Sequence, residues 1–119
     1  MPSFILSLHA SPWSKQSVIT ACQFATTAIQ RGNKVRAIFL YQDAVLNAHS
    51  KLDISSDELN GQKPLVKLHE QFGVPLLLCV TAAAKRGLEN EDCHPAFRVA
   101  GLAEFAELST ESDKVVQFK

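Results

Sequence analysis

Residues 75–87 read PLLLCVTAAAKRG, an apolar run that ends in Cys79 and passes at once into a small-residue helical segment. A short run with no polar alternation fits a strand buried on both faces of a parallel sheet. A parallel strand needs crossover connections, so this one stretch commits the chain to an α/β architecture. Cys79 then falls at the carboxyl end of its strand, where open α/β sheets place their ligand sites. The helix that follows turns its partly positive N-terminal amides toward the same end. Such a field favours the thiolate, the reactive form of cysteine.

The rest of the chain alternates in the way this commitment requires. Ser3–Leu8 (SFILSL) is an apolar strand that opens into the proline-broken loop from His9 to Ser14. Val18, Ala21, Cys22, Ala25, Ala28 and Ile29 share one helical face, with Ser14 or Ser17 as candidate caps and Arg31-Gly32-Asn33 as the stop. Lys34–Leu40 (KVRAIFL) is a second strand, completing a right-handed βαβ unit. Asp43 is placed to cap a short helical turn through Ala44-Val45-Leu46, and residues 50–61 are a polar loop. Residues 63–72 predict a helix carrying Leu65, Leu68 and Phe72 on one stripe, and residues 74–79 a third strand. Thr81–Arg86 predicts a helix closed by Gly87, and Leu88–Pro95 an acidic exposed loop. Phe97–Leu108 predicts a short strand merging into an amphipathic helix, and Asp113–Phe118 a last strand. The expected fold is a single three-layer α/β/α domain over residues 1–119 with a mostly parallel five-stranded sheet, Rossmann- or flavodoxin-like; alternation leaves the strand order open.

Charge and cysteine usage narrow the function classes. Twelve basic and twelve acidic side chains cancel, so net charge gives no drive toward nucleic acid. Direct nucleic-acid binding is therefore not expected. The start, MPSFILSLHASPW, lacks a basic region, and its apolar run is too short for a signal peptide or a membrane span. Three unclustered cysteines, with no CxxC pair, suit a reducing compartment, and a cytoplasmic protein with no membrane association is expected. No GxGxxG or glycine-rich phosphate loop is present, which ranks a nucleotide-binding flavodoxin-like domain last. No His/Cys/Asp/Glu spacing suggests a metal, and no cofactor is expected.

Each candidate residue has a plain structural alternative. Cys79 is either a reactive thiol or a small buried hydrophobe. Cys22, on the apolar face of the first helix, is expected to be core. Cys93, beside Glu89, Glu91 and Asp92, is expected to be a solvated loop residue with a raised pKa, or else a resolving thiol for Cys79. The strand ends near Cys79 supply His9, Tyr41 and Gln42, then Asn47 and His49 through the next turn. Of these, His9 is the candidate orienting or proton-transfer group, while loop roles are favoured for Tyr41 and His49. His69 is expected to face solvent. Lys85 and Arg86 either offset the dipole at their helix's C-terminal end or attract an acidic partner or an anionic persulfide. Pro12 and Trp13 are candidate interface anchors or covers for the core.

Three stretches carry a resemblance to a known family. QFATTAIQRGNKVRAIFLYQDAVLNAH, LHEQFGVPLLLCVTAAAKRG and GLAEFAELSTESDKVVQF together resemble the DsrE-like sulfurtransferases over most of the chain. The cysteine stretch and the terminal VVQF are the specific part; between Gly87 and Phe97 the sequence is shorter than the family pattern. The resemblance implies a sulfur carrier that holds sulfane sulfur as a persulfide on Cys79 and relays it to another thiol. It further implies a complex with homologous TusB-like and TusC-like subunits, two copies of each with this chain. A TusA-like donor and a TusE-like acceptor would serve that complex in tRNA 2-thiolation, or a DsrE-type relay would serve sulfur oxidation. A non-catalytic scaffold subunit, in which Cys79 is inert or buried, is the rival from the binding class.

Overall fold

Two apolar runs form the middle of the sheet because neither could meet water on either face. β1 (Ser3–Leu8) and β2 (Lys34–Leu40) pair in parallel, with Leu6, Leu8, Ala37, Ile38, Phe39 and Leu40 fully buried. Each large side chain of this kind contributes roughly 1.5–3 kcal/mol on leaving water. The structure is a computed structural model that describes residues 2–13 and 16–119. Its elements continue through α1 (Ser17–Gln30), α2 (Gln62–Phe72), β3 (Leu76–Cys79), α3 (Val80–Lys85), β4 (Phe97–Ala100), α4 (Leu102–Glu111) and β5 (Lys114–Phe118). A 3-10 helix, Gln42–Ala48, follows β2, and a second short one spans Asn90–Asp92.

The five strands run all-parallel in the order β4-β3-β2-β1-β5, as the α/β reading expected and in the order it left open. Three successive steps in one direction, each right-handed, put α1, α2 and α3 on one face of the sheet. The return from β4 to β5 runs the other way and puts α4 on the opposite face. Aromatic packing agrees: Phe24 of α1 meets Phe4 and Phe118, whereas Phe105 of α4 meets Phe39. The two faces are unequally covered. The α1 side buries five residues of that helix, but α4 has no buried residue, and Leu102 and Val115 on its side are half exposed.

Local boundaries follow backbone chemistry. β3 begins at Leu76, two residues later than the apolar run suggested. Pro75 has no N–H for the ladder, although its carbonyl accepts from the Ile38 N–H at 2.9 Å. Among the described residues no side chain caps α1; Gln16 precedes it, and Ser14 lies outside those residues. Its stop is as expected, with Gly32 at φ +86° in the left-handed region. Asp43 does not cap the turn it opens, because its carboxylate is taken by Arg86. The stretch from Phe97 divides cleanly at Gly101 into β4 and α4.

Residues 50–61 hold one close approach. A Cβ on Gly61 would collide with the Asn47 side-chain oxygen and lie 2.8 Å from Val18 Cγ1. Gly61 is buried there, and its N–H donates to the Pro12 carbonyl at 2.9 Å.

Candidate functional site

The carboxyl ends of three neighbouring strands build the site. Leu8, Leu40 and Leu78 lie in register across β1, β2 and β3. One residue further, the same strands present His9, Tyr41 and Cys79 side by side. Pairing continues through that step on the outer sides, where Tyr41 N–H donates to the Leu8 carbonyl at 2.9 Å and Cys79 pairs with Ala100 of β4, while the β2–β3 pairing ends at Leu40 and Leu78. Side chains alternate along a strand, so Cys79 shares the face of Leu77, and Tyr41 that of Phe39. Leu77 and Phe39 are themselves register partners, which puts Tyr41 and Cys79 on the α4 face together.

Four ring contacts and a short hydrogen-bond network hold this row. The Tyr41 ring stacks on His9 at 5.5 Å and 12°, and meets Phe39 at 4.8 Å and Phe105 at 5.8 Å edge-on. Phe105 also lies 4.6 Å from Phe39, closing the group from α4. Both His9 ring nitrogens are engaged. Nδ1 donates to Gln42 Oε1 at 3.3 Å, while Nε2 accepts from Gln117 Nε2 at 2.9 Å and from Ser7 Oγ at 3.2 Å. These partners fit the neutral Nδ1–H tautomer. They leave the ring no spare nitrogen for Cys79. Gln42 reaches His9 from a backbone at φ +49°, a strained position for a residue with a side chain.

Cys79 is 4% exposed, in the step between β3 and α3. Its charge bears on Tyr41: the phenol is raised above the ordinary tyrosine range, first by burial and then by the thiolate beside it. Two recesses lie along the strand ends. A polar one of about 440 Å³ is lined by His9, Ser11, Gln42, Asp43, Gln117 and Lys119. An apolar one of about 340 Å³ runs along Val80, Ala84, Leu88 and Val99, on the side of the sheet where α3 leads away. Val80, directly after the cysteine, is half exposed.

The other sequence-nominated residues go elsewhere. Cys22 is core as expected, and burial pushes its thiol up to about 12. Cys93 is not the solvated residue expected. It is 8% exposed, its Sγ donates to the Glu89 carbonyl at 3.3 Å, and it bridges to His49. The Asn90–Asp92 turn, boxed by reciprocal Glu89 and Asp92 bonds, folds the acidic loop over it. Its pKa is raised chiefly by burial, then by Asp92 and Glu91. Asn47 is fully buried and ties to the Ala10 and Ala44 carbonyls, a structural post rather than a site group. His49 Nδ1 accepts from the Lys51 N–H, and its carbonyl and that of Asn47 accept from Gln62.

His69 is half-buried, and its Nδ1 donates to the Val74 carbonyl at 2.9 Å, so it does not simply face solvent. Pro12 is buried, whereas Trp13 is 48% exposed. Arg86 satisfies the Ala82 carbonyl of α3 and pairs with Asp43. Sequence reading set Tyr41 aside as a loop residue. The only signal that could have promoted it was its place directly after a buried strand, the same signal that promoted His9.

Among the described residues no group of three or more His, Cys, Asp or Glu side chains converges on a metal position, and no helix is long and apolar enough to cross a membrane.

Comparison with known proteins bears on this site. The DsrE/DsrF-like family model matches residues 3–118. The chain is 32% identical to the Sulfurtransferase TusD of Klebsiella pneumoniae subsp. pneumoniae, covering 97% of this chain and 98% of that protein. It is 29% identical to the Putative sulfurtransferase DsrE of Allochromatium vinosum, covering 97% of each. The fold matches the crystal structure of the ychN protein from E. coli with a TM-score of 0.86 at 24% identity, covering 99% of this chain and 100% of that one.

Proposed function

The chain belongs to the DsrE/DsrF-like family, and from that premise we propose that it is a sulfurtransferase carrying sulfane sulfur as a persulfide on Cys79. The observation that carries the reading is the near full-length similarity to proteins named sulfurtransferase, joined to a lone strand-end cysteine in the row His9–Tyr41–Cys79. In the proposed step, the Cys79 thiolate attacks the outer sulfur of a donor persulfide, R–S–SH. The new S–S bond forms as the donor's bond breaks, the donor leaves as R–S⁻, and the outer sulfur keeps its proton until water takes it. An acceptor thiolate then repeats the attack on the Cys79 persulfide and restores the Cys79 thiolate. Neither step draws on a metal or an organic cofactor.

Likeness to TusD supports a cytoplasmic role toward 2-thiouridine in tRNA, with TusB-like and TusC-like subunits, a TusA-like donor and a TusE-like acceptor. Likeness to DsrE supports the sulfur-oxidation relay as the alternative setting. One observation favours a second reading, the non-catalytic scaffold: Cys79 is almost wholly buried in the single chain. The deciding experiment incubates reduced protein with a persulfide donor and records intact mass beside Cys79→Ser. One added sulfur, released by reductant and absent from the variant, supports the carrier. No uptake by the wild type, alone and with partner subunits, leaves the scaffold.

A further inference from the structure

A tyrosine side chain is longer than a cysteine side chain, and here the two rise side by side from neighbouring strands on one face. The Tyr41 ring reaches from the sheet to Phe105 of the covering helix α4. Among the described residues the Tyr41 hydroxyl hydrogen-bonds no protein group, and the ring is its only tie to its surroundings beyond the backbone. The hydroxyl is open to solvent, and three rings fix the side chain that carries it. A persulfide on Cys79 offers that hydroxyl an acceptor. Its outer sulfur extends about 2.05 Å beyond the Cys79 sulfur, on the face of the sheet that also carries the phenol.

We propose that the Tyr41 hydroxyl donates a hydrogen bond to the outer sulfur of the Cys79 persulfide and so holds the loaded state; this rests on the persulfide reading above. The bond exists only after loading, when the transferred sulfur ionises to Cys79–S–S⁻ and a neutral donor stabilises the anion. His9 stacks on the far face of the Tyr41 ring and is locked by Gln42, Gln117 and Ser7, so it acts through Tyr41 as a positioning residue. The strained backbone of Gln42 is explained in the same terms, since relaxing it would withdraw the oxygen that orients His9.

The test compares wild type with Tyr41→Phe, which keeps the ring and its packing and removes only the hydroxyl. At a fixed ratio of small-molecule persulfide to thiol, the loaded-to-unloaded ratio read by intact mass should fall roughly tenfold or more, as for loss of a hydrogen bond to a charged group. Alkylation of unloaded Cys79 by iodoacetamide should keep its wild-type rate, because the phenol does not bond the thiol. A purely structural role for the ring would change neither measurement. Loading that is equal in both proteins overturns this inference and leaves the carrier reading intact. Alkylation slowed as much as loading also overturns it, since the hydroxyl would then act on the thiol itself. Failure of the wild type to load overturns both.

Discussion

Arg86 closes on Asp43 with two donors on one oxygen, Nε at 3.1 Å and Nη2 at 2.9 Å from Oδ1. Its third arm, Nη1, donates to the Ala82 carbonyl at 3.0 Å. One side chain thus fastens the helix that leaves Cys79 to the segment that leaves Tyr41. The two connections of the proposed site cannot drift apart without breaking it.

Arg86→Ala should lower stability by only about 1 kcal/mol, because Asp43 is largely exposed and surface pairs of this kind are weak. Half or more of that loss should vanish in high salt, where the pair is screened. Urea midpoints at low and high ionic strength measure both. A loss independent of salt would assign the effect to the Ala82 bond instead.

Gly61→Ala should cost more, about 1–3 kcal/mol, the usual penalty for forcing atoms into a packed core. The new methyl group must displace the Asn47 side chain or Val18, and Asn47 in turn holds the Ala10 carbonyl. A thermal midpoint within a degree of wild type would show that the Asn47 post yields freely.

Tyr41 is the only tyrosine in the chain, so its ultraviolet titration reads one group. Its midpoint should lie above the ordinary tyrosine value, with burial the larger cause and Cys79 the smaller. Cys79→Ser should therefore bring the midpoint part of the way down, while the buried contribution remains. The titratable groups beside the phenol are Cys79 on β3 and His9 after β1, and His9→Gln should leave the Cys79-dependent part in place. Because the folded form holds its proton longer, this group's contribution to stability is complete below the unfolded tyrosine pKa. It is lost as pH rises through the folded one.

Much of this could be anticipated, and the remainder failed for identifiable reasons. β1 and β2 have the bounds their apolar runs indicate, since a strand buried on both faces has no other pattern to follow. The position of Cys79 at a strand end was legible for the same reason. Its neighbours were not. Whether His9 or Ala100 stands beside Tyr41 depends on strand order and register, and both β1-next-to-β2 and its alternatives share one alternating sequence. Cys93 misled through composition: three acidic neighbours suggest solvent, yet they are spent on a boxed turn that faces outward while the sulfur packs inward. Asp43 misled because a long-range arginine competed successfully for a local cap.

Cys22 should be the last of the three thiols to react in the native protein, with burial holding it near 12. Its folded pKa exceeds the ordinary thiol value of 9.0, so the unfolding free energy should decline as pH rises from about 9 toward about 12. Cys22→Ala should flatten that decline. Alkylation followed by peptide mass analysis gives the order of reaction, and denaturant titrations at several alkaline pH values give the slope. Early labelling of Cys22 under native conditions would mean that α1 opens far more readily than its packing implies.

The strand order also sets the schedule on which the protein can be completed during biosynthesis. Among the five strands β1 is made first and β5 last, so β1 takes its second partner only when all the others have been made. Every strand from β1 to β4 can assemble on a nascent chain, but until residues 114–118 emerge β1 is an open edge, with Phe24 of α1 missing its contact with Phe118. A premature stop just before residue 114 would therefore leave bare a strand that belongs inside the sheet. It would produce a nearly whole sheet primed to pair with another chain.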